Sequence, residues 1–284
     1  MKEGLPSLTA HRVAALRALH QELEHPAIFR DPLAARIIGA EALDELRATP
    51  DEYDSPPMRS LRASVAARSR FAEEILGVAA EEGVRQYVVL GAGFDSFAYR
   101  NPWADAGMLV FEVDHPATQE WKRAALEKAG IPVPPSVAYV AADFERETLT
   151  QALDRAHFDA NRPSFFSWLG VTVYLAPERV MDTLRRVLSA MVPGSGIVFD
   201  YVISPEAMTP SQRAGYEALS VRVAALGEPW LSAFNPSVFA EDLRALGFKS
   251  VEDRGAEELN ARYFADRSDG FRLSGVGRLV HARL

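Results

Sequence analysis

The run Gln86 to Gly93, QYVVLGAG, opens on a glutamine, continues through four residues of β-branched, aromatic and apolar character and stops abruptly on Gly-Ala-Gly. A short apolar run ending on glycine reads as a strand buried on both faces and leading into a tight turn. The pattern recurs downstream in LVFEV (Leu109 to Val113), VAYVA (Val137 to Ala141), SFFSWLG (Ser164 to Gly170) and GIVFDY (Gly196 to Tyr201). Helical stretches separate these runs. One opens at Pro116 and stops before Gly130 and Pro132; another opens at Pro177 and places Val180, Leu184, Val187, Leu188 and Met191 on one face. Such alternation predicts an α/β Rossmann-like sheet, mostly parallel and covered on both faces. Ser250 to Asp253 and Gly277 to Arg283 read as two further strands, seven in all.

Outward from this core the pattern is helical. His11 to Leu23 and Pro32 to Arg47 carry apolar residues at helical spacing, separated by the breaker-rich HPAIFRDP, and TPDEYDSPP reads as a loop. A helix is expected over Glu145 to Ala156. Residues 204–234 hold helix formers and aromatics but no clear strand, and read as an inserted lid. Asn235 as cap, Pro236 at the first position and Gly247 past the end mark the helix that resumes the core. The division that follows is an N-terminal helical cap over 1–60 and an α/β domain over 61–284.

Composition narrows the function classes. At 284 residues and 48% apolar the chain can bury a sizeable core, and its net charge of −8, with basic residues scattered among acids, argues against a general nucleic-acid binder. No stretch approaches the ~20 apolar residues of a membrane span, and the first ten residues lack a secretory pattern, so a cytoplasmic protein is expected. The absence of cysteine removes thiolate nucleophiles and disulfides. Six scattered histidines show no ligand spacing, and no metal is expected.

In an open α/β sheet, ligands bind beyond the carboxyl ends of the strands. Gly91, Ala92 and Gly93 lie there, with Glu112 and Asp114 at the end of the second strand, where a carboxylate can accept both hydroxyls of a ribose. Asp143 and Phe144 follow the third, placed for the amino group and a ring nitrogen of adenine. Each acid also has an ordinary reading, Asp114 as a helix N-terminal charge and Asp143 as a helix cap. A dinucleotide fingerprint would need glycine where this chain has Ser96, and no Walker lysine is present. Arg59, Arg62, Arg68 and Arg70 form a cluster whose plain reading is a solvated helix face.

Across VVLGAGFDSFAYR (Val88 to Arg100), FEVDHPATQEWK (Phe111 to Lys122), AADFE (Ala141 to Glu145) and SWLGVTVYLAPE (Ser167 to Glu178), the chain resembles the leucine carboxyl methyltransferase-like class I methyltransferases. The upstream RALHQELEHPAIFRDPLAARIIG is similar to the opening segment of the bacterial, small-molecule branch, so the resemblance spans about residues 10–202. It implies a seven-stranded sheet with an antiparallel last strand and S-adenosylmethionine as methyl donor. It further implies that Arg68, with Arg70 as second choice, binds the methionine carboxylate, Gly91 and Gly93 underlie the methionyl part, Asp114 takes the ribose, and Asp143 with Phe144 the adenine. One departure is Leu169, where several members carry glutamate.

Methyl transfer from a sulfonium is an in-line displacement that relies on positioning and needs no metal. A carboxylate acceptor is already ionised near neutral pH, whereas a phenol benefits from a base. The expected activity is O-methylation of a small molecule, plausible in secondary metabolism. Alternatives are protein carboxyl or N-methylation, or cofactor binding without turnover. Tyr174 and Tyr201 at strand ends, with Arg222 in the lid, are candidates for the acceptor.

Overall fold

The computed structural model describes residues 8–49, 53–142, 148–225, 227–273 and 275–284, with the side chains of residues 8 and 222 also outside the described part. Seven strands form one sheet in the order β3-β2-β1-β4-β5-β7-β6. They are β1 (Gln86–Leu90), β2 (Leu109–Asp114), β3 (Val137–Ala141), β4 (Phe165–Trp168), β5 (Gly196–Val202), β6 (Ser250–Arg254) and β7 (Gly277–Arg283). The first five run parallel, and β7 is antiparallel to both β5 and β6. The alternation of apolar runs and helices therefore predicted the architecture, and the seventh strand has the expected direction.

Helices cover both faces. On one side α4 (Pro56–Glu81) packs its Ala63, Ala66, Ala67, Phe71 and Leu76 under Tyr87, Val89, Phe165 and Val198, joined there by α10 (Ala256–Tyr263). On the other, Val180, Leu184 and Val187 of α7 (Pro177–Ser189), fully buried, meet Phe166, Ile197 and Phe199, with α6 (Leu149–Arg155) and α9 (Pro236–Leu246) alongside. β5 shows the period-2 logic plainly: Val198 faces α4, while Ile197, Phe199 and Tyr201 face α7 and α9. Asn235 caps α9 through Ser237 and Val238 as expected, and Gly247 follows its last residue.

Three expectations change. Pro32 to Arg47 is two helices, α2 (Ala34–Ile38) and α3 (Ala40–Ala48), broken at Gly39, whose φ of +86° no helix accommodates. Pro56 and Pro57, read as loop, form the first turn of α4, where their missing N–H groups cost nothing. The helix expected from Glu145 starts at Leu149, set by a capping box in which Thr148 and Gln151 bond each other's backbone. Within 204–234 lies α8 (Pro210–Ala225). That segment is tied back to the sheet where Phe234 N–H donates to Val202 and Ser204 N–H to Phe234.

The N-terminal helix α1 (Leu8–Leu23) lies over the carboxyl end of β1 with α2 and α3, and α5 (Pro116–Lys128) flanks them. Ala14, Ala18, Ile37, Leu43, Phe94 and Leu126 form their shared core.

Candidate cofactor site

The turn after β1 is built by the strand beside it. Gly91 and Ala92 N–H both donate to Val113 O, at 2.8 and 3.1 Å, and the chain then reverses with φ of +66° at Gly91 and +46° at Gly93. A Cβ on Gly91 would lie 2.6 Å from Val171 Cγ2, and one on Gly93 2.9 Å from Ala10 Cβ. The glycines are thus required by their backbone conformation and by close approach of the loop after β4 and of α1.

Asp114 completes the turn. Its Oδ2 accepts Gly93 N–H at 2.5 Å and its Oδ1 accepts His115 N–H at 2.7 Å. A carboxylate offers about four lone-pair sites, so two remain for hydroxyl donors. Burial pushes its pKa up, against the two backbone donors, which favour the ionised form. The cap of α5 is His115, whose ring accepts from Ala117 N–H, and Asp114 directly precedes it. Glu112, two residues back on the same strand, is spent elsewhere: fully buried, it pairs with Lys122 Nζ at 2.7 Å and accepts from the Tyr99 hydroxyl at 3.0 Å. Asp143 and Phe144 lie outside the described residues.

The arginine cluster separates. Arg68 turns to a cavity of about 60 Å³ whose lining includes Gly91, Ala92, Gly93, Asp95, Ser167 and Leu169. Its Nη1 pairs with Asp200 Oδ2 at 3.1 Å. Arg70 points away, bonded to Glu74 at 2.7 Å and stacked over Tyr263. Arg62 is buried against Glu24, and Arg59 pairs with Asp54. Leu169 leaves the cavity wall apolar where a glutamate would have charged it.

Arg17 is the residue that sequence reasoning missed. From α1 it enters the same cavity, donates to Phe94 O at 2.6 Å and pairs with the buried Asp31 at 3.1 Å. The signal is an arginine in the stripe Ala10, Ala14, Arg17, Gln21, where helical spacing calls for a buried face. Asp31 is itself fixed: it accepts from Leu33 and Ala34 N–H, and Gln21 bonds both its N–H and its C=O.

The acceptor candidates part in the same way. Tyr174 stands beside Thr9 of α1 and Trp230 of the 204–234 segment, near Arg68, with burial holding its hydroxyl protonated above the ordinary tyrosine range. Tyr201 is buried in the core against Phe234 and Phe239, and its hydroxyl donates to Asp253 at 2.6 Å. It does not reach the cavity, because β5 alternation sends it to the α9 face. The Arg222 side chain lies outside the described part. Among the described residues no cluster of three or more His, Cys, Asp or Glu could hold a metal ion, and no helix is long and apolar enough to cross a membrane.

The residues fit an adenosyl amino acid in chemistry: a guanidinium for a carboxylate, an acid with free lone pairs for a ribose, and a turn of bare backbone between them. A family model described as leucine carboxyl methyltransferase matches residues 10–188. A Bacillus subtilis protein provisionally named S-adenosyl-L-methionine-dependent methyltransferase YktD is 28% identical over 302 aligned positions, covering 99% of each chain. A relative of the same provisional description from Mycolicibacterium paratuberculosis is 35% identical over 214, covering 72% of this chain and 70% of its own. Two solved structures share the fold, each with a TM-score of 0.61. One is a protein of Thermobifida fusca provisionally described as a methyltransferase, at 20% identity, covering 99% of this chain and 96% of its own. The other is a DUF574 family protein of Streptomyces avermitilis, at 19% identity, covering 98% and 97%.

Proposed function

Since this chain belongs to the leucine carboxyl methyltransferase family and is an S-adenosylmethionine-dependent methyltransferase, we propose that it methylates an oxygen of a small molecule, foremost a carboxylate. The observation that carries this reading is the ionisable lining of the cavity: Arg17, Arg68 and Asp95 among the described residues, with Tyr174 beside it held protonated. With Arg17 committed to Asp31 and Arg68 to the cofactor carboxylate, the group left to meet the acceptor is Tyr174, whose protonated phenol can donate a hydrogen bond to an anionic oxygen but takes no proton. An acceptor that arrives ionised needs no base. Its oxygen attacks the methyl carbon, the carbon–sulfur bond breaks, and the electron pair stays on sulfur, leaving a neutral ester and a neutral thioether.

In this reading Arg68 holds the methionyl carboxylate, Gly91, Ala92 and Gly93 underlie the methionyl chain, Asp114 takes the ribose, and Asp143 with Phe144 the adenine. Residues 1–60 act as a cap and 204–234 as a lid. Tyr174 stands at their junction, where Glu228 faces the backbone of Thr9, and a short lid of about thirty residues meeting the cap there favours a small acceptor over a folded protein. A place in bacterial secondary metabolism, in the cytoplasm, belongs to the same reading. The test is incubation with methyl-labelled cofactor and a panel of small carboxylic acids, phenols and amines. A base-labile product that releases methanol supports carboxylate methylation; label found only on nitrogen overturns it.

A further inference from the structure

A guanidinium on a long, rotatable side chain recognises a carboxylate well only when its orientation is fixed beforehand. Three separate elements converge on that of Arg68. From β5, Asp200 Oδ2 meets Nη1 at 3.1 Å, and Oδ1 of the same carboxylate accepts Gly170 N–H at 2.6 Å. From the loop after β4, Gly170, with φ of +70°, lies against the guanidinium so closely that a Cβ there would stand 2.7 Å from Nη2 and 2.8 Å from Nη1. From α4, the side chain itself leaves the helix toward the cavity, and only 14% of it is exposed. Asp200 lines a different, smaller cavity of about 40 Å³, with Ser60, Ser64 and Arg278. It therefore stands behind Arg68.

We infer that Asp200 is a positioning residue for cofactor binding: its carboxylate clamps the Gly170 turn and the Arg68 guanidinium together, so that the remaining guanidinium edge faces the methionyl carboxylate. The inference rests on the reading of Arg68 given above. Asp200 lends the cofactor no charge of its own, since a negative group behind Arg68 weakens its pull on an anion. Its contribution is orientation, which the Coulomb term opposes. An asparagine in its place can still accept from Gly170 through its oxygen. It must then turn an N–H group toward Nη1, and two donors facing each other drive the guanidinium out of line.

The test compares two ligands that share adenine and ribose but differ in the amino-acid head: S-adenosylhomocysteine and 5′-methylthioadenosine, which has no carboxylate. By calorimetry, Asp200→Asn should weaken the first about tenfold or more and leave the second within about twofold. Arg68→Ala should show the same selective loss. Retained binding of 5′-methylthioadenosine also reports that the variant is folded, and Asp200→Ser serves if Asp200→Asn is not. Selective loss in Arg68→Ala with unchanged affinities in Asp200→Asn overturns the positioning role alone. Equal loss of both ligands in Asp200→Asn overturns it too, in favour of general support of the site. Unchanged affinities in Arg68→Ala overturn the carboxylate reading itself.

Discussion

Asp114 Oδ2 accepts the N–H of Gly93 at 2.5 Å, joining the end of β2 to the turn that follows β1. The bond shapes the turn from below and leaves lone pairs of the same carboxylate for a ligand above it. Asp114→Ala removes both. Hydrogen bonds to charged groups contribute about 1.5–3 kcal/mol each. Calorimetry should therefore show S-adenosylhomocysteine affinity reduced by at least about tenfold, with unchanged affinity counting against the site.

The pH dependence follows from burial of the same group. Only the ionised carboxylate accepts from two donors at each oxygen, and burial raises its pKa above the ordinary aspartate value. On acidification Asp114 takes up its proton earlier than an exposed aspartate does. Cofactor affinity should decline as pH falls through that raised value, and the decline should flatten in Asp114→Asn.

Gly91→Ala meets two obstacles, a φ of +66° and Val171 Cγ2 at 2.6 Å. Pairing it with Val171→Ala clears the second only. Chemical denaturation should show the single variant clearly destabilised. The double should recover in part, leaving about 1–2 kcal/mol for the left-handed backbone; full recovery would show that conformation to be unimportant there.

Lys122→Met strands the buried Glu112 without its cation, which burial already drives toward its neutral form. Breaking one side of such a pair costs about 3–5 kcal/mol. Replacing both, in Glu112→Leu with Lys122→Met, should restore most of the loss in a denaturant titration, because the Tyr99 hydroxyl keeps Tyr139 at 2.8 Å.

Tyr201→Phe separates a core tyrosine from an acceptor-binding one. Asp253 keeps Arg278 at 2.8 Å. Stability should fall by about 1–3 kcal/mol, while KM and kcat, measured well below the melting transition, stay at the wild-type values. A raised acceptor KM would return Tyr201 to the site.

Much of this was legible in the residues. β1 and β4 are buried throughout and β2 and β5 largely so, which makes their sequences near-continuous apolar runs, whereas β3 lies at the sheet edge and is only half-buried; Pro116, Pro177 and Asn235 mark helix starts by local chemistry alone. Where local chemistry is ambiguous, the reading slips. Gly39 sits in a helical pattern and breaks it, and the true start of α6 is encoded in Thr148 and Gln151, not in the acids before them. Gly91, Gly93 and Asp114 are close to strand ends in the sequence, and the structure brings them together in one turn. Choosing Arg68 over Arg70 needed the rotation of α4 against the sheet, which is decided by packing. Tyr201 was misjudged because its partner Asp253 lies 52 positions away, and Arg17 because its target, Phe94 O, is a backbone atom that any sequence carries.

The placement of β7 between β5 and β6 has a consequence for biosynthesis. β6 meets the sheet only through β7, which follows it in the chain. As the polypeptide leaves the ribosome, β1 to β5 can assemble in order, but β6 emerges with no strand to pair with. Its open edge amides wait for residues 277–283, and until these arrive the nascent sheet carries an unpaired strand, the kind of surface that neighbouring chains capture. β7 is thus the strand that shields the newborn sheet from other copies of the chain.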